Sequence, residues 1–179
     1  HIVSRRQRQM CIRDSSNTAG FGFIGNLSNA ISNQKKGKQF MKVPEGANVI
    51  SPITINETHK FVAATFSSQD NKGKVSNKML IFPIEELPVL PKGKGNKLIS
   101  ISTKAFKEKA EYMMDVCCLA EDSKLHIHHE GKTGGKTWTL KELEEYISSR
   151  AKRGRVLPTG YNGMIKLEEI ERSTDPAPE

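Results

Sequence analysis

Basic residues gather around glycine at three places in the chain. NQKKGKQF sets Gly37 between Lys36 and Lys38, LPKGKGNKLISI interleaves Gly93 and Gly95 with lysines, and SRAKRGRVLPT sets Gly154 between Arg153 and Arg155. Glycine lets a backbone come close to a phosphate with its N–H groups free to donate. Flanking lysines and arginines add charge that holds phosphate without reading base sequence. A single turn of this kind reads better as a plain tight turn that lysine keeps soluble. Three at matching positions make a basic rim, and nucleic-acid binding is the function they favour.

Other constellations carry less. EGKTGGKTW (130–138) ends like a phosphate-binding loop at Gly135, Lys136 and Thr137. However, Glu130 stands where that motif needs its first glycine, and strand-like KTWTL follows where a helix should start. It reads as a lysine-rich hairpin tip. In LHIHHEG, His126 and His128 share one face of a strand and His129 takes the other. No third ligand is placed by spacing, so a half-exposed strand is the better reading than a metal site. Tyr112, Tyr146 and Tyr161 have no visible activating partner, and Tyr146 fits beside Leu143 as packing. Met113, Met114, Cys117 and Cys118 read as core filler. No nucleophile–base pair is visible.

Composition sets bounds on these readings. Of 179 residues, 27% are charged, 36% hydrophobic and 6% aromatic, which fits a soluble globular chain with a modest core. No apolar run approaches a membrane span, and no signal peptide is visible. Adjacent Cys117 and Cys118 would close a strained ring and offer no second pair for zinc, which fits a reduced cytosolic setting. The opening HIVSRRQRQMCIRDS has no initiator Met and no apolar periodicity, and MCIRDS resembles a translated sequencing adapter. Residues 1–14 are therefore set aside from the fold; the alternative is a basic arm that binds nucleic acid. Arg5, Arg6, Arg8 and Arg13 against Asp14 contribute +3 of the net charge of +8, so +5 remains on the rest. An acidic partner stays plausible on that balance.

The elements that must position the basic turns also recur. Gly37 to Gly95 is 58 residues and Gly95 to Gly154 is 59, a period comparable to propeller blades. A short segment of helical spacing precedes each turn: NLSNAIS with Leu27 and Ile31, FPIEELP with Ile84 and Leu87, and TLKELEEYIS with Leu143 and Ile147. The third is the clearest helix, opened by a Thr139–Glu142 capping box. Pro83 and Pro88 limit the second to one turn. Strands are expected at 20–25, 78–82 and around Trp138 before these segments, and at 40–43, 98–102 and 156–157 after the turns. Further strands are expected at 61–66, 113–119 and 125–129, with 67–77 as a long mobile hairpin connection. The fold class expected is all-β, with blades of about four strands and short helical turns. Residues 15–172 form the domain, and 173–179 a frayed tail.

FPIEELPVLPKGKGNKLISI, AGFGFIGNLSNAISNQKKGKQFMKVPEGANVISPI and RAKRGRVLPTGYNGMIKLEEIE together resemble the C-terminal domain of the A subunit of bacterial type IIA topoisomerases, topoisomerase IV in particular. The resemblance covers residues 16–172, and GKGNK followed by alternating apolar residues is its most specific part. It implies a partial β-pinwheel of about three blades that grips double-stranded DNA on its outer edge. It implies DNA contacts at Lys35, Lys36, Lys38, Lys92, Lys94, Lys97, Lys152, Arg153 and Arg155. It also implies a parent heterotetramer of two A and two B subunits that uses ATP and Mg²⁺ to decatenate and relax DNA by double-strand passage. No cofactor, metal or catalytic residue is implied within this chain, because the cleaving tyrosine belongs to a breakage–reunion domain. The resemblance further implies a cytoplasmic, nucleoid-associated place with peripheral association to the inner membrane. Departures fall at 67–77 and at Lys132 and Lys136. The related gyrase domain is marked by a basic glycine-rich box that would lie upstream. A basic β module that binds RNA or protein is the alternative, although few aromatics are available to stack bases.

Overall fold

The computed structural model describes residues 12–30, 35–36, 38–130, 135–161 and 163–171. Residues 1–11, Ile31, Gly37, Lys132 and the tail 173–179, each the subject of an expectation above, lie outside the described residues. The strands are β1 (Ile12–Asn17), β2 (Phe21–Asn26), β3 (Val49–Ile55), β4 (His59–Gln69), β5 (Val75–Pro83), β6 (Asn96–Lys97), β7 (Glu111–Ala120), β8 (Lys124–His129), β9 (Lys136–Thr139), β10 (Arg155–Val156) and β11 (Ile165–Ile170). Helix is confined to α1 (Leu27–Ala30), α2 (Thr103–Lys107) and single 3-10 turns at Ile84–Glu86 and Glu144–Tyr146. The strands make three sheets, ordered β3-β1-β2-β6, β10-β5-β4-β7 and β11-β8-β9. All the ladders between them are antiparallel. These are the blades, and they stack in chain order without closing a ring.

Consecutive blades interlock. In each of the first two sheets three strands come from one repeat, and the fourth comes from the next. β6 pairs with β2 as Phe21↔Lys97 and Gly22↔Asn96, and β10 pairs with β5 as Lys78↔Val156 and Met79↔Arg155. The same middle strands are also held further along. The Ile24 N–H donates to the Pro88 carbonyl (2.9 Å), and the Leu90 N–H donates back to the Ile24 carbonyl (2.9 Å). In the next repeat the Ser148 N–H donates to the Ile81 carbonyl (2.8 Å). The sequence period thus reappears as a repeated exchange of backbone hydrogen bonds.

Glycine makes this exchange possible at two positions. Gly95 has φ +76° and its missing Cβ would collide with the Gly22 carbonyl of β2. Gly154 has φ +65°, and a Cβ there would lie 2.5 Å from the Met79 carbonyl of β5. At these two positions the close approach that glycine permits is to the preceding blade.

Two apolar clusters fill the spaces between blades, and the middle blade supplies both. Along β4, Val62, Ala64 and Phe66 enter the cluster facing the first blade, while Ala63 enters the one facing the third. Along β5 the split is Leu80 and Phe82 against Met79 and Ile81, and along β7 it is Val116 and Cys118 against Cys117 and Leu119. A strand buried on both faces needs apolar residues without a break, which is why FVAATF, KMLIF and CCLA read as continuous runs.

Four expectations change. Ile12, Arg13 and Asp14 pair with both β2 and β3, so setting aside 1–14 removed the start of a central strand. Residues 67–77 are no long mobile loop. The β4–β5 ladder continues to Gln69↔Val75, and a turn tied by Asp70 Oδ1 to the Lys72 and Lys74 N–H groups (2.8 and 2.9 Å) closes it. Two polar residues of this stretch are buried where they bond to neighbours: Asn77 Nδ2 donates to the Tyr161 and Gly163 carbonyls (2.8 and 3.0 Å), and the Ser68 hydroxyl to Glu111 (3.0 Å). The expected third helix keeps its capping box, with the Thr139 N–H and hydroxyl donating to Glu142 Oε2 (2.8 and 2.9 Å). It stops after one 3-10 turn because Ile147 and Ser148 leave to bridge Ile81. Finally, 40–43 and 98–102 are crossings between sheets, and the fourth strands lie just before Leu98 and Leu157 instead.

These contacts separate two costs of replacing glycine. Gly46→Ala, where φ is +77° and nothing lies within 4 Å, should cost about 1 kcal/mol from backbone strain alone. Gly95→Ala adds a collision with β2 and should cost upwards of about 3 kcal/mol. Urea denaturation of the two variants measures the difference, and equal losses would refute the interlocking role.

Candidate nucleic-acid interface

β6 and β10 are the outermost strands of their sheets, and β3, β7 and β11 lie at the opposite, inner edges. β7 touches both β3 and β11, so these inner strands line the axis of the stack. The basic turns follow the outer edge. Their backbones are linked in series: the Lys42 N–H donates to the Gly93 carbonyl (2.8 Å), and the Gly93 N–H to the Phe40 carbonyl (3.1 Å). One repeat on, the Ser100 N–H donates to the Lys152 carbonyl (3.0 Å), and the Ala151 N–H to the Leu98 carbonyl (2.9 Å). Segments distant in sequence are thereby brought into one row on the rim.

Within that row the nine expected residues divide into two sets. Lys35, Lys36, Lys92, Lys94 and Lys152 are exposed. Lys94 Nζ lies 4.0 Å from the centre of the Phe21 ring, which fixes its direction without neutralising it. Arg155 is exposed and faces Glu145 at 3.8 Å, a pair of little energetic weight in water. The other three are engaged. Lys38 Nζ donates to the Asn29 carbonyl (3.1 Å), and Lys97 Nζ to the Ile101 carbonyl (3.2 Å). Arg153 donates to the Ser100 carbonyl (3.3 Å) and makes a two-pronged pair with Glu111, whose side chain is only 7% exposed.

Glu111 is the centre of a small electrostatic knot. Burial alone would push its carboxyl up. Hydrogen bonds from Arg153 and Ser68, with the charges of Arg153 and Lys78, outweigh burial and hold it below its ordinary value. Lys78 is pushed down by burial and then by Arg153. Two cations are thus committed to a buried acid beneath the rim.

Sequence reasoning missed Arg150 and Lys107. The Arg150 N–H donates to Glu86 Oε2 (2.6 Å), its Nε to the Glu86 carbonyl (2.9 Å) and one terminal nitrogen to the Lys97 carbonyl (2.6 Å). It clamps the third basic turn to the second, and nothing in its sequence position separates it from its solvated neighbours. Lys107, on α2, joins Lys94 in lining a cavity of about 110 Å³. Its signal was a helix opened by Ser102, whose hydroxyl accepts from the Ala105 N–H (3.0 Å).

The axis carries opposite charge. A groove of about 580 Å³ is lined by Asp115, Glu168, Glu169 and Glu171, with His59 and Lys166 among them. Glu169 pairs with His59 (2.8 Å) and accepts from the Ala120 N–H (2.8 Å), while Asp115 accepts from the Leu167 N–H (2.8 Å). Burial pushes the Asp115 carboxyl up despite those bonds, and pushes the Cys117 thiol up to about 12, which leaves it inert.

The remaining constellations resolve plainly. His126 and His128 do share a face, with ring centres 4.2 Å apart, and His129 packs on Tyr161 on the other. Among the described residues no group of three His, Cys, Asp or Glu side chains could hold a metal. Tyr146 is buried at 3% exposure, and Met113, Met114, Cys117 and Cys118 are core. Lys136 stands on β9 with its ammonium 4.1 Å from the centre of the Trp138 ring.

No protein-family model matches the chain. The A subunit of DNA topoisomerase 4 from Haemophilus influenzae is 32% identical over 174 residues, which cover 96% of this chain and 21% of the relative. That span exceeds residues 15–179 and so reaches into the fourteen residues set aside above. Its counterpart in Pseudomonas aeruginosa is 29% identical over 151 residues, covering 83% and 19%. The chain spans about a fifth of the length of these relatives. Among solved structures, the E. coli ParC C-terminal domain superposes with a TM-score of 0.75 at 23% identity, covering 90% of this chain and 62% of that one. A C-terminal domain of DNA topoisomerase IV gives 0.66 at 12% identity, covering 90% and 47%. By sequence and by fold, the chain is a relative of the C-terminal β-pinwheel domain of the DNA topoisomerase IV A subunit.

Proposed function

We propose that the chain holds duplex DNA against its basic outer rim, as the DNA-gripping part of a topoisomerase whose cutting machinery lies elsewhere. The observation that carries this reading is the separation of charge. Exposed lysines from three repeats follow one outer edge, whereas Asp115, Glu168, Glu169 and Glu171 line the groove at the axis. A polyanion is attracted to the first surface and repelled from the second. Backbone crossings at 40–42 and 98–100 keep the lysines in series, which suits a contact along a phosphate chain rather than a single anion. The parent enzyme would be a heterotetramer of two A and two B subunits that decatenates and relaxes DNA by double-strand passage, drawing on ATP and Mg²⁺ held outside this chain. Its place would be cytoplasmic, on the nucleoid. Among the described residues no helix is long and apolar enough to cross a membrane, and nothing supports the peripheral membrane association that the resemblance implied.

The division among the nine basic residues gives two measurements. Replacing Lys92, Lys94 and Lys152 together with alanine should weaken binding similarly for unrelated duplexes. It should also flatten the salt slope by about 0.9 for each phosphate no longer neutralised, with thermal stability unchanged. Gel-shift titrations over salt measure it; a slope unaltered by the triple change, or preferential loss on one sequence, would refute the phosphate rim. A stronger competition by RNA than by duplex DNA would favour the RNA-binding alternative.

Arg153→Ala should act first on folding. It strands the buried Glu111 carboxylate and should cost about 1–3 kcal/mol at neutral pH. Glu111 is held below its ordinary value, so its stabilisation is full above the usual carboxylate range and fades as pH falls through its lowered folded value. The stability gap between the wild-type chain and Glu111→Gln should therefore narrow in acid. Urea melts at pH 7 and near pH 3 test this, and a gap that widens in acid would contradict it.

A further inference from the structure

Given a rim that binds duplex DNA, as proposed above, we infer that Lys94 and Lys107 together hold one phosphate of the duplex backbone, in a cleft between the first two blades that only the middle repeat completes. The repeats differ in one place. From the basic glycine to the inner strand, Gly37 to Val49 and Gly154 to Ile165 are 12 and 11 residues apart, whereas Gly95 to Glu111 takes 16. The added length is α2. The corresponding segments VPEGAN (43–48) and LPTGYNGM (157–164) hold one acid and no base between them. The segment with α2 holds Lys104, Lys107 and Lys109 against Glu108. The additional helix brings net positive charge to a place where the other repeats have none.

α2 is fixed where it stands. Phe106 packs on the apolar cluster between the first and second blades. The Ala110 N–H donates to the Ala105 carbonyl, and the Gln69 N–H to the Ala110 carbonyl (both 2.8 Å). The chain turns towards β7 through Lys109, whose φ of 57° is a left-handed conformation that its surroundings must hold. Lys104 faces Glu108 at 4.0 Å. Among the described residues neither Lys107 nor Lys94 makes an ion pair. Both are exposed, and both line the cavity of about 110 Å³ whose walls include Phe21, Ile101 and Phe106. Its lining residues all belong to the first two repeats, so it lies within the stack and not at either end. That space suits a single tetrahedral group, not a base pair or a folded partner. Two ammonium groups on one cavity are charge donors for such an anion, and Glu45, also on its lining, opposes them. The exposed row at Lys92 and Lys94 runs into the cleft, so the duplex contact would widen there from the outer edge onto the face of the first joint.

Fluorescence anisotropy of a labelled mixed-sequence duplex, titrated with the full chain over a range of salt, tests this. Lys107→Ala should weaken binding. Lys166→Ala, which removes an equal charge from the axial groove, should leave it near that of the unaltered chain. Lys94→Ala and Lys107→Ala combined should flatten the salt slope by about 0.9, the value for one phosphate. Glu45→Gln should tighten binding, a change of sign that loss of packing does not produce. Circular dichroism and urea melts check that the variants fold alike. Binding by Lys107→Ala no weaker than by Lys166→Ala, with Lys92 and Lys152 still required, would overturn the shared site and leave the rim standing. Flattening by about twice 0.9 would put the two lysines on separate phosphates and overturn it as well. Binding by the unaltered chain that does not respond to salt would remove the rim, and the site with it.

Discussion

A crossing where backbone meets backbone governs this molecule. Gly95 and Gly154 take left-handed conformations and lie against the Gly22 and Met79 carbonyls of the preceding blade. Only there can the chain leave one repeat, complete the sheet before it and return. The basic residues sit beside these glycines, so closing the sheet also places the charge. The rim is not a surface laid over a finished fold but the exposed side of the joints that hold the blades together.

The same economy appears in the polar groups. Buried carboxylates are expensive unless bonded, and those between blades are each tied to a neighbour. Glu111 holds Arg153 and Ser68, Asp115 holds the Leu167 N–H, and Glu169 holds His59 and the Ala120 N–H. Each of these contacts joins segments far apart in sequence. Apolar packing alone would let similar blades slide, because the middle strands are apolar on both faces. The directional bonds fix one register. Two of these acids, Asp115 and Glu169, line the axial groove, away from the exposed lysines of the outer edge.

Much of this was legible in the residues. The spacing of basic glycines gave the repeat, continuous apolar runs gave the doubly buried strands, and Thr139 with Glu142 gave a capping box that forms. What escaped has a common cause. β1, β3 and β11 carry polar or mixed residues such as IRDSSN and IKLEEI, because their neighbours satisfy them by hydrogen bonds rather than by apolar burial. Ser67, Ser68 and Asn77 were read as loop for the same reason. The helix expected at 139–148 was lost to a tertiary bond, that of Ser148 to Ile81, which local periodicity cannot reveal. The site was legible as a set of cations, but not as two sets. Whether an arginine faces water or a buried glutamate depends on which repeat comes to lie beneath it.

That division bears on how a rim of this kind works. Arg150 and Arg153 fasten the joints, whereas Lys92, Lys94 and Lys152 project from the same few residues. A polyanion bound along the rim would touch segments that close two different sheets. Any ligand that holds the folded form more tightly than the unfolded one adds to its stability. Here the added stability would fall on the joints between blades, which are the contacts that a stack of repeats most needs. Binding and blade cohesion are coupled because a single short segment, basic residue and glycine together, serves both.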